Sequence, residues 1–322
     1  MKKLILFILV LTIMVPSFGS EGIIQETIFQ RSFNEGNIPS WFGDNDFRGL
    51  AYHDGIMYIC DQQVNGIAKI DAQSGNYIGL VGANTNSTRI PLWDVETDAD
   101  GKIFATKMGW FAGDSTAHIY TWDSNGDDAQ RDTLINWAPD QDKYRLGDDF
   151  TVTGSYKDST LKIYMANALN DTTCDQLYIW DMAKGIENKP NDTTIVKKLE
   201  NNFLGLQVDI WPLGGVNTDS VLISGGTQRV RKVDLTTGES TALNKPDNYD
   251  YGNGLCAFQL DNEKYFALAA SFNPLEDNEQ NLQIINYTAG LANVDTIVHK
   301  TESLANAILR LRLSRLTGLE RE

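Results

Sequence analysis

A chain of 322 residues with 42% hydrophobic and 10% aromatic residues can bury a sizeable core, which excludes intrinsic disorder. Its 43 Asp and Glu outnumber its 27 Lys and Arg, giving a formal charge of −16. Such a chain lacks the cationic footprint that phosphate backbones and anionic membrane surfaces require, so nucleic acid is excluded as a partner.

In chain order, Lys2 and Lys3 precede the apolar run Leu4 to Val15, then Pro16 and the small residues Ser17, Gly19 and Ser20. This is the layout of a secretory signal peptide with cleavage after Gly19, and it predicts a protein secreted or delivered to a bacterial periplasm. Neither this run nor any later one reaches the roughly 18 uninterrupted apolar residues of a membrane span. The expected plan is a signal peptide at 1–19, a repeat domain at 20–300 and an atypical tail at 301–322. Cys60, Cys174 and Cys256 form an odd set without the paired spacing of a zinc or redox site, which leaves idle thiols and a single disulfide both open.

Beyond the leader, short runs rich in Val, Ile, Tyr and Phe alternate with Asp-Gly, Asp-Ser and Asp-Asn steps, as in hairpins of an all-β protein. One element recurs: an apolar strand closing on an acid or amide at Asp71, Asp123, Asp181, Asp234 and Asn286, every 52–58 residues. A second marker keeps the same phase, with Asp54-Gly55, Asp100-Gly101, Asp158-Ser159, Asp219-Ser220 and Asp261-Asn262 each standing before a strand. A period of about 54 residues holding four short strands predicts a β-propeller with five recognisable four-stranded blades, and the chain length leaves room for an incomplete sixth. In the first blade the strands are expected at 48–53, 56–61, 66–71 and 76–81. A strand near Ile23 to Phe33 is expected to close the ring on the last blade.

The segment Gly49-Leu50-Ala51-Tyr52, Met57-Tyr58-Ile59, Ala68-Lys69-Ile70-Asp71 and Ser74-Gly75 resembles blades of secreted bacterial propellers related to NHL, gluconolactonase-like and YVTN-type repeats. It is similar in particular to an exported bacterial propeller family of unknown function, and the likeness covers 40–300. Trp122-Asp123 and Trp180-Asp181 imitate the WD dipeptide without the Gly-His element of strict WD40 blades. The tail breaks the pattern. Ile308, Leu311 and Arg315 suit a helical face, whereas Leu309, Leu311 and Leu313 alternate with Arg310 and Arg312 as in a strand. A truncated or out-of-frame terminus and a docking helix are the two readings.

The positions entering each first strand are where side chains from different blades can converge: Arg48, Asp94, Asp149, Gln207 and Asn253. The resemblance to lactonase-like propellers implies Ca2+ at the channel mouth, for which Asp94, Asp149 and Asn253 are the candidate ligands. Arg48 stands where that family places a Glu, and it is expected to pair with Asp94 or Asp149 in the absence of calcium. Trp93 and Trp211 can stack on a sugar or another flat ligand. The Asp123–Asp128 run lacks the closing Glu of a calcium loop and reads as a hairpin turn. His53, His118 and His299 are scattered over the repeats and define no triad. The function expected is a non-catalytic binding or scaffold protein for a glycan, peptide or protein ligand, with a calcium-dependent lactonase-like hydrolase as the alternative.

Overall fold

The computed structural model describes residues 5–10, 26–32, 47–61, 66–82, 92–109, 116–138, 145–168, 175–186, 189–197, 208–225, 228–247, 249, 252, 254–260, 262–270, 281–294 and 297–300. The strand expected near residues 23–33 is present, but it does not join the last blade. Strands β1 (Ile5–Val10) and β2 (Glu26–Ser32) pair with each other in a two-stranded antiparallel sheet. Residues 5–10, part of the apolar run read above as a leader, pair with β2, and the third strand of the last blade has that blade's own fourth strand as its outer neighbour.

The remaining strands form five four-stranded antiparallel blades, each made of consecutive strands. Blade 1 holds β3 (Phe47–His53), β4 (Ile56–Asp61), β5 (Gly66–Asp71) and β6 (Tyr77–Val81), within one residue of the boundaries read from the sequence. Blade 2 holds β7 (Leu92–Thr97), β8 (Ile103–Lys107), β9 (Ala117–Trp122) and β10 (Arg131–Trp137). Blade 3 holds β11 (Arg145–Thr153), β12 (Lys162–Ala168), β13 (Gln176–Asp181) and β14 (Asp192–Ile195). Blade 4 follows with β15 (Asp209–Leu213), β16 (Ser220–Gly225), β17 (Gln228–Asp234) and β18 (Ser240–Ala242). Blade 5 closes the series with β19 (Gly254–Leu260), β20 (Glu263–Ala270), β21 (Asn281–Asn286) and β22 (His299–Lys300).

Each first strand lies against the next, β3 on β7, β7 on β11, β11 on β15 and β15 on β19, so the first strands form the inner wall and the fourth strands the rim. Both faces of an inner blade are buried, which is why its strands lack clean alternation. Blades 1 and 2 share Tyr58, Ile67, Val95 and Trp122, while blades 2 and 3 share Phe104, Ile119, Phe150 and Trp180. Blades 3 and 4 meet through Tyr164, Ile179, Ile210 and Val221, and blades 4 and 5 through Leu222, Val230, Leu255 and Phe266. Each such large side chain removed from water contributes about 1.5–3 kcal/mol, so these four layers carry most of the stability.

Both sequence markers have a structural reason. Asp54 and Gly55, at φ 46° and 80°, are the two central residues of a hairpin turn whose twist matches the strands it joins. The residues closing the third strands cap the turns to the fourth. Asp71 Oδ1 accepts from the Gln73 and Ser74 amides and from the Ser74 hydroxyl, and Asp234 Oδ1 accepts likewise from Thr236 and Thr237. Asp181 Oδ1 accepts from the Ala183 amide and Asn286 Oδ1 from the Thr288 amide.

These bonds act on titration. The Ser74 hydroxyl and amide hold the Asp71 carboxyl below its ordinary value, and the Thr237 amide and hydroxyl do the same for Asp234. A depressed folded pKa contributes stability present above the unfolded value and lost as pH falls through the folded one. Asp71→Ala and Asp234→Ala are therefore expected to be less stable than wild type at neutral pH. Their deficit should shrink as the pH drops below the carboxylate range. Urea midpoints across the acid limb check this, and a deficit constant with pH would contradict it.

Candidate functional site

The first strands enter the inner wall through irregularities. The ladder shifts register between Arg48 and Leu50 in β3, between Leu92 and Asp94 in β7, and between Leu146 and Phe150 in β11. Bulges of this kind re-aim side chains out of the regular alternation, here in three consecutive blades. Asp94, 3% exposed, consequently turns toward the next blade, where its Oδ2 accepts from the Phe150 amide at 3.2 Å. Asp209, fully buried at the head of β15, repeats the arrangement on the Leu255 amide at 2.6 Å.

Gly49 occupies the same place in blade 1. A Cβ built on it would lie 2.1 Å from Asp94 Oδ1 and 2.7 Å from the Val95 amide nitrogen, the direction in which the Asp94 and Asp209 carboxylates point in their own blades. Blade 1 thus approaches blade 2 too closely for any side chain there, at a φ of +59° that favours glycine. The structurally matching positions are Gly49, Asp94 and Asp209, each followed by a buried apolar residue, of which Val95 and Ile210 enter inter-blade layers. Threonines add further ties between neighbouring blades. Thr97 Oγ1 donates to the Tyr52 carbonyl at 3.3 Å, Thr106 Oγ1 to the Gly147 carbonyl at 2.9 Å, and Thr151 Oγ1 to the Ile210 carbonyl.

The residues predicted from spacing divide accordingly. Asp94 is the carboxylate link just described. Asp149 lies beside Phe150 in the β11 bulge, half-buried. Gln207, Asn253 and the side chain of Arg48 fall outside the described residues, so the expected pairing of Arg48 with Asp94 or Asp149 does too. Trp211 packs against the apolar clusters that contain Leu255 and Phe266 on one side of blade 5 and Cys256 and Ala267 on the other, as a blade-packing aromatic does. Among the described residues no group of three His, Cys, Asp or Glu converges to hold a metal ion, and Asp94 directs one carboxylate oxygen at a backbone amide.

A polar cluster that sequence spacing missed lies beside Trp93. Arg145 and Asp148, 8% and 5% exposed, form an ion pair at 2.5 Å. The Arg145 Nε donates to the Met108 sulfur at 3.1 Å, and its guanidinium stands 5.7 Å from the centre of the half-buried Trp93 ring. The second Asp148 oxygen is buried without a hydrogen-bond partner. Two charges removed from water with one oxygen unsatisfied are poor stabilisers. Their signal was present in Arg145-Leu146-Gly147-Asp148-Asp149, but β11 begins earlier than the repeat period suggests and its bulge hides the spacing.

Cys60 and Cys256 are buried, and Cys174 lies outside the described residues. Burial pushes the Cys256 thiol up to about 12, so it remains protonated and inert at neutral pH.

No family model and no curated protein sequence matches the chain. Solved structures align with it over most of its length. The Cps50 (Swd1) β-propeller domain of Myceliophteria thermophila is 13% identical, with 81% of this chain and 74% of that one covered at a TM-score of 0.48. A TolB from Agrobacterium tumefaciens is 10% identical, with 87% and 86% covered and the same TM-score. A chain of the mitotic checkpoint complex is 11% identical, with 92% and 75% covered at 0.46.

Replacing Gly49 by Ala imposes an unfavourable φ and drives a methyl group into Asp94 and the Val95 amide. A loss of about 1–3 kcal/mol is expected in chemical denaturation. An unchanged unfolding midpoint would show that blade 1 does not press on blade 2 at this point.

Proposed function

We propose that the protein is an exported, non-catalytic binding or scaffold protein whose ligand surface is the channel mouth around Trp93. The observation carrying this reading is the half-buried Trp93 ring, with a cation held near it by the buried Arg145–Asp148 pair. An indole held in this way offers a flat apolar surface at little conformational cost, which suits a sugar ring, a peptide side chain or an aromatic group. The carboxylates of the inner wall support a binding rather than a hydrolytic reading, because Asp94 and Asp209 each engage a backbone amide of the following blade. Among the described residues no helix is long and apolar enough to cross a membrane, and export rests on the leader-like N-terminal sequence.

Screening the purified protein against glycans, peptides and cell-envelope extracts, with and without calcium, tests the proposal. For the ligand found, Trp93→Ala should weaken binding about tenfold or more, the size of a hot-spot truncation, while leaving the circular dichroism spectrum unchanged. Equal binding by wild type and Trp93→Ala would move the site elsewhere. Calcium-dependent substrate turnover would replace the proposal with the hydrolase.

A further inference from the structure

The turn between β9 and β10 carries chemistry that a hairpin does not need. Its residues Asp123-Ser124-Asn125-Gly126-Asp127-Asp128 face blade 1. Three groups surround the Asn125–Gly126 peptide. The Lys69 ammonium of β5 donates to the Asn125 carbonyl oxygen at 2.8 Å and pairs with Asp127 at 3.1 Å. The Ser124 hydroxyl accepts from the Gly126 amide at 3.2 Å. The Asn125 side-chain amide donates to the Tyr58 hydroxyl oxygen.

We propose that Asn125–Gly126 is a self-modifying site, at which the Asn125 side-chain amide is lost through a succinimide and returned as aspartate or isoaspartate. The Gly126 nitrogen attacks the Asn125 side-chain carbonyl carbon and forms the ring bond, while its proton passes through the Ser124 oxygen to water. The bond from that carbon to the amide nitrogen breaks, and ammonia leaves with a proton taken from water. Water then adds to either ring carbonyl, opening it to the normal or the backbone-lengthened acid. No electron is gained or lost.

The placement of the three groups favours each stage. A cation on the Asn125 carbonyl oxygen stabilises the negative charge that the peptide acquires as its N–H is removed. The Tyr58 oxygen holds the Asn125 side-chain amide in the turn, and burial raises the Tyr58 pKa, which keeps that group neutral. The glycine offers no Cβ to obstruct the ring. The chain's other Asn-Gly steps, Asn65-Gly66 and Asn253-Gly254, differ in that their glycines open strands β5 and β19 and are held in ladders.

The product matters because of where it forms. A new carboxylate would stand beside Lys69, and an inserted backbone methylene would strain the turn bond from the Ala129 amide to the Gly126 carbonyl. Both act on the junction between blades 1 and 2.

The experiment is peptide mapping with isoaspartyl-specific methylation, after incubating the full-length folded protein at mildly alkaline pH. Asn125 should convert several-fold faster than Asn65 and Asn253, and the difference should disappear in urea. Lys69→Met should slow Asn125 several-fold and leave the other two unchanged. Ser124→Ala, on an exposed turn, gives the same test should Lys69→Met fail to fold. Conversion at Asn125 no faster than at the other two steps, or unaffected by either substitution in a natively folded variant, would overturn the proposal.

Discussion

The inner strand of a propeller blade has one edge without a strand partner, and the backbone groups on that edge must still find hydrogen bonds away from water. This chain meets the constraint with side chains from the preceding blade. The carboxylates of Asp94 and Asp209 accept from the Phe150 and Leu255 amides, and Thr151 reaches the Ile210 carbonyl. Where blade 1 comes closest to blade 2, Gly49 removes the side chain altogether. The inner wall is thus set by links one residue long, and the bulges in β3 and β7 bring Gly49 and Asp94 into position.

Magnitudes separate the roles of these links from those of the apolar layers. A hydrogen bond from a buried amide to a carboxylate contributes about 1.5–3 kcal/mol, comparable with one large side chain of the inter-blade cores. Each layer contains many such side chains, so the layers supply the bulk of the stability. An apolar layer is tolerant of sliding, however, and a directed bond to one amide is not. The carboxylate links therefore fix the register between blades, and the strands carrying Trp93 and Arg145 inherit that register.

Most of the architecture was legible in the sequence because its punctuation is local chemistry. Asp71 and Asp234 cap turns within a few residues of themselves, and Asp54-Gly55 makes a hairpin without help from elsewhere. Such signals survive in a one-dimensional reading. The site was less legible for the opposite reason. Asp209 and Gly49 owe their roles to an adjoining blade and stand two and one residues beyond the positions that even spacing assigned, Gln207 and Arg48; a bulge accounts for Gly49 in β3, whereas β15 pairs without one. The recurring pairs Gly49-Leu50, Asp94-Val95, Asp209-Ile210 and Gly254-Leu255 held the correct register. The pairing of β2 with β1 depended on which partner strand was in reach, which periodicity does not encode.

The carboxylate links are most directly tested by amide hydrogen exchange read residue by residue. Wild type should protect the Phe150 and Leu255 amides strongly. Asp94→Ala should release Phe150 selectively and Asp209→Ala should release Leu255, each leaving the amides of the third strands largely unchanged. Exchange at Phe150 and Leu255 as slow in the variants as in wild type would show that the blades keep their register without these carboxylates, contrary to the structure described.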